Sequence, residues 1–257
     1  MPTFHASDGA ALAYTELGPR GGIPLVFLHG WLADAGAWSA VTRRLAKRHR
    51  TIALDLRGFG ASNAAPGPYR VETLADDLGA LIAALDLDPL VAIGHSMGAA
   101  IAQRFAIDRP EAIEGLVLIA PVPASGMALT PSALHMFREV TGDAAKAAAW
   151  LRKLTYREPP SDVVALMRRG AAAVRSDVAL ENLASWTTLD FADDVATIDT
   201  PTLVLAPAFD RPQLARERVA DLIAGSRFDI IAEAGHYVPL ERPEAVADAI
   251  ERFVMEL

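Results

Sequence analysis

The sequence predicts an α/β protein whose central sheet is mostly parallel, covered by helices on both faces and interrupted by an all-helical insertion. Three observations carry this. Short runs rich in Val, Ile and Leu recur along the chain, and segments of ten or more residues with helical period separate them. The alternation stops after Pro121 and resumes near Thr200. Apolar strands alternating with long helices are the mark of a parallel sheet buried on both sides.

The elements follow in order. "ALAYTELG" alternates like a strand, "GPRGG" is a turn, and "IPLVFLHG" is a short buried strand ending in glycine. "AGAWSAVTRRLAKR" has helical period, "RTIALDLRG" is a strand, and "VETLADDLGALIAAL" is an amphipathic helix. Then come strand "PLVAIGHS", helix "GAAIAQRFAIDRP" and strand "IEGLVLIAP". The insertion offers helix-like "PSALHMFREV", "DAAKAAAWLRKL", "SDVVALMRRGAAAV" and "DVALENLASWTTL". Alternation returns with "TPTLVLAPAFD", helical "PQLARERVADLIAG", strand and loop "RFDIIAEAGH" and terminal helix "RPEAVADAIERFVMEL". Residues 1–120 and 200–257 are thus expected to form one α/β core, with 121–199 as the insertion.

The 257 residues suffice for a sizeable core, and 52% hydrophobic with 22% charged residues fits a globular protein. A net charge of −8 argues against a nucleic-acid or anionic-membrane partner. The basic cluster "RRLAKRHR" reads as the solvated face and end of a helix. The absence of cysteine excludes disulfides, thiolate zinc sites and a cysteine nucleophile. No secretory signal or membrane-length apolar run is visible, so the expectation is a cytoplasmic protein, monomer or homodimer, acting on a small molecule without metal or cofactor.

Gly94-His95-Ser96-Met97-Gly98 matches G-x-S-x-G between a predicted strand and a predicted helix. That turn must be very tight, and glycines let the backbones approach closely. Ser96 is thereby exposed beside a helix N-terminus, where the dipole favours developing negative charge. A serine nucleophile needs a base, and the base an orienting acid. Among six histidines, His5, His49 and His135 lie at the terminus, in the basic helix end and in the insertion. His29 and His95 flank glycines and suit local hydrogen bonding. His236 sits in a loop after the last strand, where α/β sheets place their sites, and is favoured as the base. Asp210 follows the carboxyl end of "PTLVLA" and completes the chain order Ser, Asp, His. Asp193, Asp194, Asp199 and Glu233 compete with it. The oxyanion donors should be the N–H groups of Met97 and Trp31, with the Trp31 ring as an aromatic wall.

Together "FLHGW", "DLRGFGAS", "GHSMG", "PTLVLAPAFD" and "GHYVPLERPE" resemble the α/β-hydrolase superfamily over essentially the whole chain. The resemblance implies the α/β-hydrolase fold, Ser96 as nucleophile, His236 as base, Asp210 as orienting acid, and Trp31 and Met97 as oxyanion donors. It implies that the insertion is a helical cap that selects substrates, and that "DLRGFGAS" is a structural turn whose Asp55 and Arg57 pair locally. One departure is Pro207, where relatives often carry the glycine of G-x-x-D. The alternative acid position after Ile119 holds Ala120, Pro121 and Val122, none of them a carboxylate.

A serine at the elbow argues against dehalogenase and epoxide-hydrolase chemistry, which form an ester on a carboxylate. The insertion supplies Met127, Leu129, Met136, Phe137, Trp150 and Tyr156, which suggests a modest, mostly apolar acyl or alcohol group. The expected activity is hydrolysis of a carboxylic ester or lactone. Alternatives are a C–C bond hydrolase, a perhydrolase with the same triad, or a ligand sensor with slow turnover.

Overall fold

The structure, a computed structural model, describes residues 1–87, 89–209 and 219–257. Its strands are β1 (Thr3–His5), β2 (Ala11–Leu17), β3 (Leu25–Leu28), β4 (Thr51–Leu54), β5 (Leu90–His95), β6 (Ile113–Ile119), β7 (Thr202–Pro207) and β8 (Arg227–Ile231). They form one sheet in the order β1-β2-β4-β3-β5-β6-β7-β8. The pairings β1–β2 and β2–β4 are antiparallel, and the others are parallel.

Strand periodicity of two explains the two-sided core. In β3, Val26 and Leu28 join one apolar cluster while Leu25 and Phe27 join the other; in β5, Ala92 opposes Val91 and Ile93. Helices α2 (Val71–Leu85) and α3 (Met97–Asp108) cover the first face. Helix α1 (Ser39–Leu45) and the C-terminal helix Pro243–Val254 cover the second. The chain leaves β3 toward β4 on one side and returns to β5 on the other. The carboxyl ends of β3 and β5 therefore flank the crevice where such sheets bind ligands.

Between β6 and β7 come α4 (Pro131–Glu139), α5 (Ala144–Arg152), α6 (Ser161–Ala173) and α7 (Ser176–Thr187). Thr130 caps α4 by accepting the Ala133 N–H, and Asp143 caps α5 by accepting those of Ala145 and Lys146. Among the described residues no helix is long and apolar enough to cross a membrane.

Several expectations change. β1 is a strand too short for a periodicity signal, fixed by its register with β2. The expected helix from Ala35 opens with a 3-10 turn, Ala35–Trp38, and α1 ends at Leu45. The basic cluster is only partly solvated. Arg44 meets Asp248, and Arg48 and His49 meet Glu251, because α1 lies along the C-terminal helix; Arg50, just before β4, is buried against Glu16 on the neighbouring β2. The loop after His236 contains a further short helix, Val238–Glu241. Part of the expected helix 212–225 lies outside the described residues.

Candidate active site

The strand-to-helix turn after β5 has a strained centre. Ser96 adopts φ 54° and ψ −115°, a conformation that a side chain rarely tolerates. Its neighbours explain how the turn is held. The Ser96 N–H donates to the Ile119 carbonyl (2.9 Å), and its carbonyl accepts the Val122 N–H (3.2 Å), so β6 fixes it laterally. A Cβ at Gly94 would stand 2.3 Å from the Gly98 carbonyl oxygen, and one at Gly98 would stand 2.3 Å from the Leu28 carbonyl oxygen. Both glycines are therefore required by backbone-to-backbone contact, as the tight turn predicts.

His236 Nε2 lies 3.1 Å from Ser96 Oγ. The His236 backbone is gripped twice. Its N–H donates to the Leu154 carbonyl (2.7 Å), and its carbonyl accepts from His95 Nε2 (2.8 Å). His29 is buried and neutral. Nε2 accepts the Leu56 N–H, Nδ1 donates to the Gly30 carbonyl, and burial pushes the imidazole below its ordinary range. Met97 opens α3, and Trp31 follows Gly30, where a Cβ would approach Ser96 Cβ to 3.3 Å. Among the described residues, neither the Trp31 nor the Met97 N–H donates to a protein carbonyl or side chain.

Over this floor lies a cavity of about 840 Å³, within the range that takes small ligands. Its aromatic wall is a cluster. Phe137 stands 4.8 Å from Trp150, 5.4 Å from Trp31 and 5.7 Å from Trp186, centroid to centroid. The Trp31 indole also donates to the Ala179 carbonyl (3.0 Å), which ties the loop after β3 to α7. Met127, Met136 and Tyr156 line the cavity too; Leu129 does not, and packs against the core. Lys153 is the one Lys, Arg, Asp or Glu among the described lining residues.

Asp210 lies outside the described residues; Phe209 before it lines the cavity and stacks on Tyr156 at 4.1 Å. Of the competing carboxylates, Glu233 holds Arg157 (2.9 Å) and Arg242, and Asp194 faces Arg104 at 3.6 Å. Neither these nor Asp193 and Asp199 line the cavity. The expected Asp55–Arg57 pair does not form. Asp55 instead accepts the N–H groups of Ala35 (2.7 Å) and Ala61 (2.9 Å), joining the loops after β3 and β4. Arg57 turns away into a buried pair with Asp77 (2.6 Å) and also reaches Asp8 (2.7 Å).

Sequence reasoning passed over Glu241, a half-buried residue whose carboxylate lies beneath the His236 loop. Burial pushes its carboxyl above the ordinary range, against the pull of the backbone N–H groups it accepts. The available signal was a lone Glu in the apolar stretch "HYVPLE" five residues after His236.

An eight-stranded, mostly parallel sheet with a strained serine turn at its centre defines the class, and the chain belongs to the Alpha/beta hydrolase family, whose profile matches residues 25–249. A non-heme chloroperoxidase of Streptomyces lividans is 30% identical over 99% of each chain. A soluble epoxide hydrolase of Corynebacterium sp. is 28% identical over 97% of this chain and 96% of its own. Among solved structures, a thermophilic esterase from Thermogutta terrifontis matches with a TM-score of 0.86 and 29% identity, over 99% of this chain and 98% of its own. The protein is thus an enzyme of the α/β-hydrolase family with esterase, haloperoxidase and epoxide-hydrolase relatives.

Proposed function

We propose that the protein is a serine hydrolase that cleaves small, mostly apolar carboxylic esters or lactones through an acyl-enzyme. The observation that carries this reading is the Ser96–His236 contact of 3.1 Å on the floor of a largely apolar cavity. Ser96 Oγ attacks the carbonyl carbon while His236 Nε2 takes its proton, then returns it to the leaving alcohol. Trp31 and Met97 offer their backbone N–H groups to the oxyanion, Met97 with the favourable dipole of α3 behind it. Asp210 is assigned the role of orienting acid on chain order and strand-end placement. Residues 121–199 act as a cap whose aromatic cluster contacts the acyl or alcohol group.

A serine at this turn favours acyl transfer over epoxide opening. Attack by serine on an epoxide would leave an ether, which the same machinery cannot hydrolyse. The chloroperoxidase relative favours one variation, in which hydrogen peroxide replaces water as the second nucleophile and releases a peracid.

Hydrolysis of p-nitrophenyl esters of increasing acyl length tests the reading. Ser96→Ala should lower kcat by about 10⁴-fold or more while the fold is retained. Asp210→Asn should cost about 10⁴-fold through the wrong histidine tautomer. Unchanged turnover in Ser96→Ala would remove serine catalysis from consideration. A near-normal rate in Asp210→Asn would move the acid elsewhere.

A further inference from the structure

The His236 loop is closed from below by one carboxylate. Glu241, at the end of the short helix Val238–Glu241, accepts three backbone N–H groups. Those of Gly235 (3.1 Å) and Tyr237 (3.1 Å) reach Oε1, and those of Gly235 (3.0 Å) and Tyr156 (2.6 Å) reach Oε2. Two of these donors flank His236 in sequence. The third belongs to the strap Leu154–Tyr156, which follows α5 and lines the cavity. The strap is bound to the loop a second time, where the His236 N–H donates to the Leu154 carbonyl (2.7 Å). Contact is so close that a Cβ at Gly235 would stand 2.3 Å from that carbonyl oxygen.

We propose that Glu241 is a positioning residue, which sets the Ser96–His236 distance by clamping the His236 loop and the cavity-lining strap around a single carboxylate. The inference rests on the hydrolase reading above. The chemistry requires a carboxylate because both oxygens face donors. An isosteric glutamine must turn its NH₂ toward either the Tyr156 or the Tyr237 N–H, and one donor then faces another. The clamp also makes the strap part of the catalytic geometry, since displacement of Leu154–Tyr156 pulls directly on the backbone of His236.

The test compares wild type, Glu241→Gln, Glu241→Asp and Met136→Ala on one p-nitrophenyl ester. Labelling of Ser96 by diethyl p-nitrophenyl phosphate is followed in parallel by mass spectrometry. In labelling, Ser96 Oγ bonds to phosphorus, p-nitrophenolate leaves, and His236 takes the hydroxyl proton. Glu241→Gln should lower kcat and the labelling rate about 30-fold, the scale of a sub-ångström misplacement. Its KM should stay within about threefold of wild type, while Met136→Ala moves KM instead. Glu241→Asp, which keeps both oxygens on a shorter stem, should recover part of the loss. A folded Glu241→Gln with kcat and labelling within about twofold of wild type, whatever its melting temperature, overturns the proposal.

If Glu241→Gln does not fold, a second pair decides. Tyr156→Ala keeps the strap N–H and Tyr156→Pro removes it, so a lower kcat in the proline variant supports the clamp and equal values overturn it. If wild type hydrolyses no ester yet labels at Ser96, the substrate reading fails and the labelling rates still judge Glu241. If wild type neither turns over nor labels, both fall.

Discussion

The two halves of the site are held in different ways. Ser96 stands on a turn packed into the core: β5 is buried along its whole length, and Gly94 and Gly98 let α3 lie against the carboxyl ends of β5 and β3. Its supports are backbone contacts that cannot yield. His236 stands on a loop beside the half-buried strap 154–156, held by hydrogen bonds to Leu154, His95 and the Glu241 carboxylate. Its supports come from segments more than eighty residues upstream and from a helix just beyond it. Core packing holds Ser96, whereas hydrogen bonds to a half-buried, cavity-lining strap hold His236.

Glycine substitutions on the two sides should separate these regimes. Gly98→Ala forces a methyl group onto the Leu28 carbonyl inside the core, and should destabilise the protein by about 3 kcal/mol in urea unfolding. Gly235→Ala makes an equal geometric overlap with Leu154, but against a half-buried strap rather than the core. Its stability cost should be nearer 1 kcal/mol, accompanied by about a tenfold loss of kcat. Equal unfolding midpoints for the two variants would erase the distinction between the halves.

The smallest expected effect concerns the loop after β4 on the serine side, where Arg57 is buried between Asp77 and Asp8. Burial pushes the Asp77 carboxyl up, whereas the Arg57 hydrogen bond holds the more exposed Asp8 down at about 2. A carboxylate depressed in the folded state contributes stability above its unfolded value of about 4, and loses it as pH falls through the folded value. The stability gap between wild type and Asp8→Asn should therefore be full above pH ~4 and close toward pH ~2. Urea midpoints measured across that window check this, and a gap independent of pH would show that Asp8 acts through packing alone.

Much of the serine side was legible. Gly94, Ser96 and Gly98 lie within five residues between a strand pattern and a helix pattern, and the constraint they satisfy is local. The alternation of strands and helices along the chain, the helices of 131–187 and the placement of His236 after β8 follow from the same short-range signals, whereas the order of strands in the sheet does not. Asp55 and Arg57 show where this stops. Two residues apart in a turn, they were expected to pair, but Arg57 found Asp77 on α2 and Asp55 found the N–H of Ala35. Adjacency in sequence does not decide which partner a buried charge meets.

What the sequence determined by itself is the α/β framework and the position of the strained serine turn, because hydrophobic period and glycine sterics act over a few residues. The tertiary structure alone decided that His236 reaches Ser96 across 140 positions. It also decided that Trp31, Phe137, Trp150 and Trp186 form one wall, and that Glu241 ties the loop to the strap. Those contacts join segments that no periodicity relates; only the packed sheet and the helices above it bring them within hydrogen-bond and van der Waals reach.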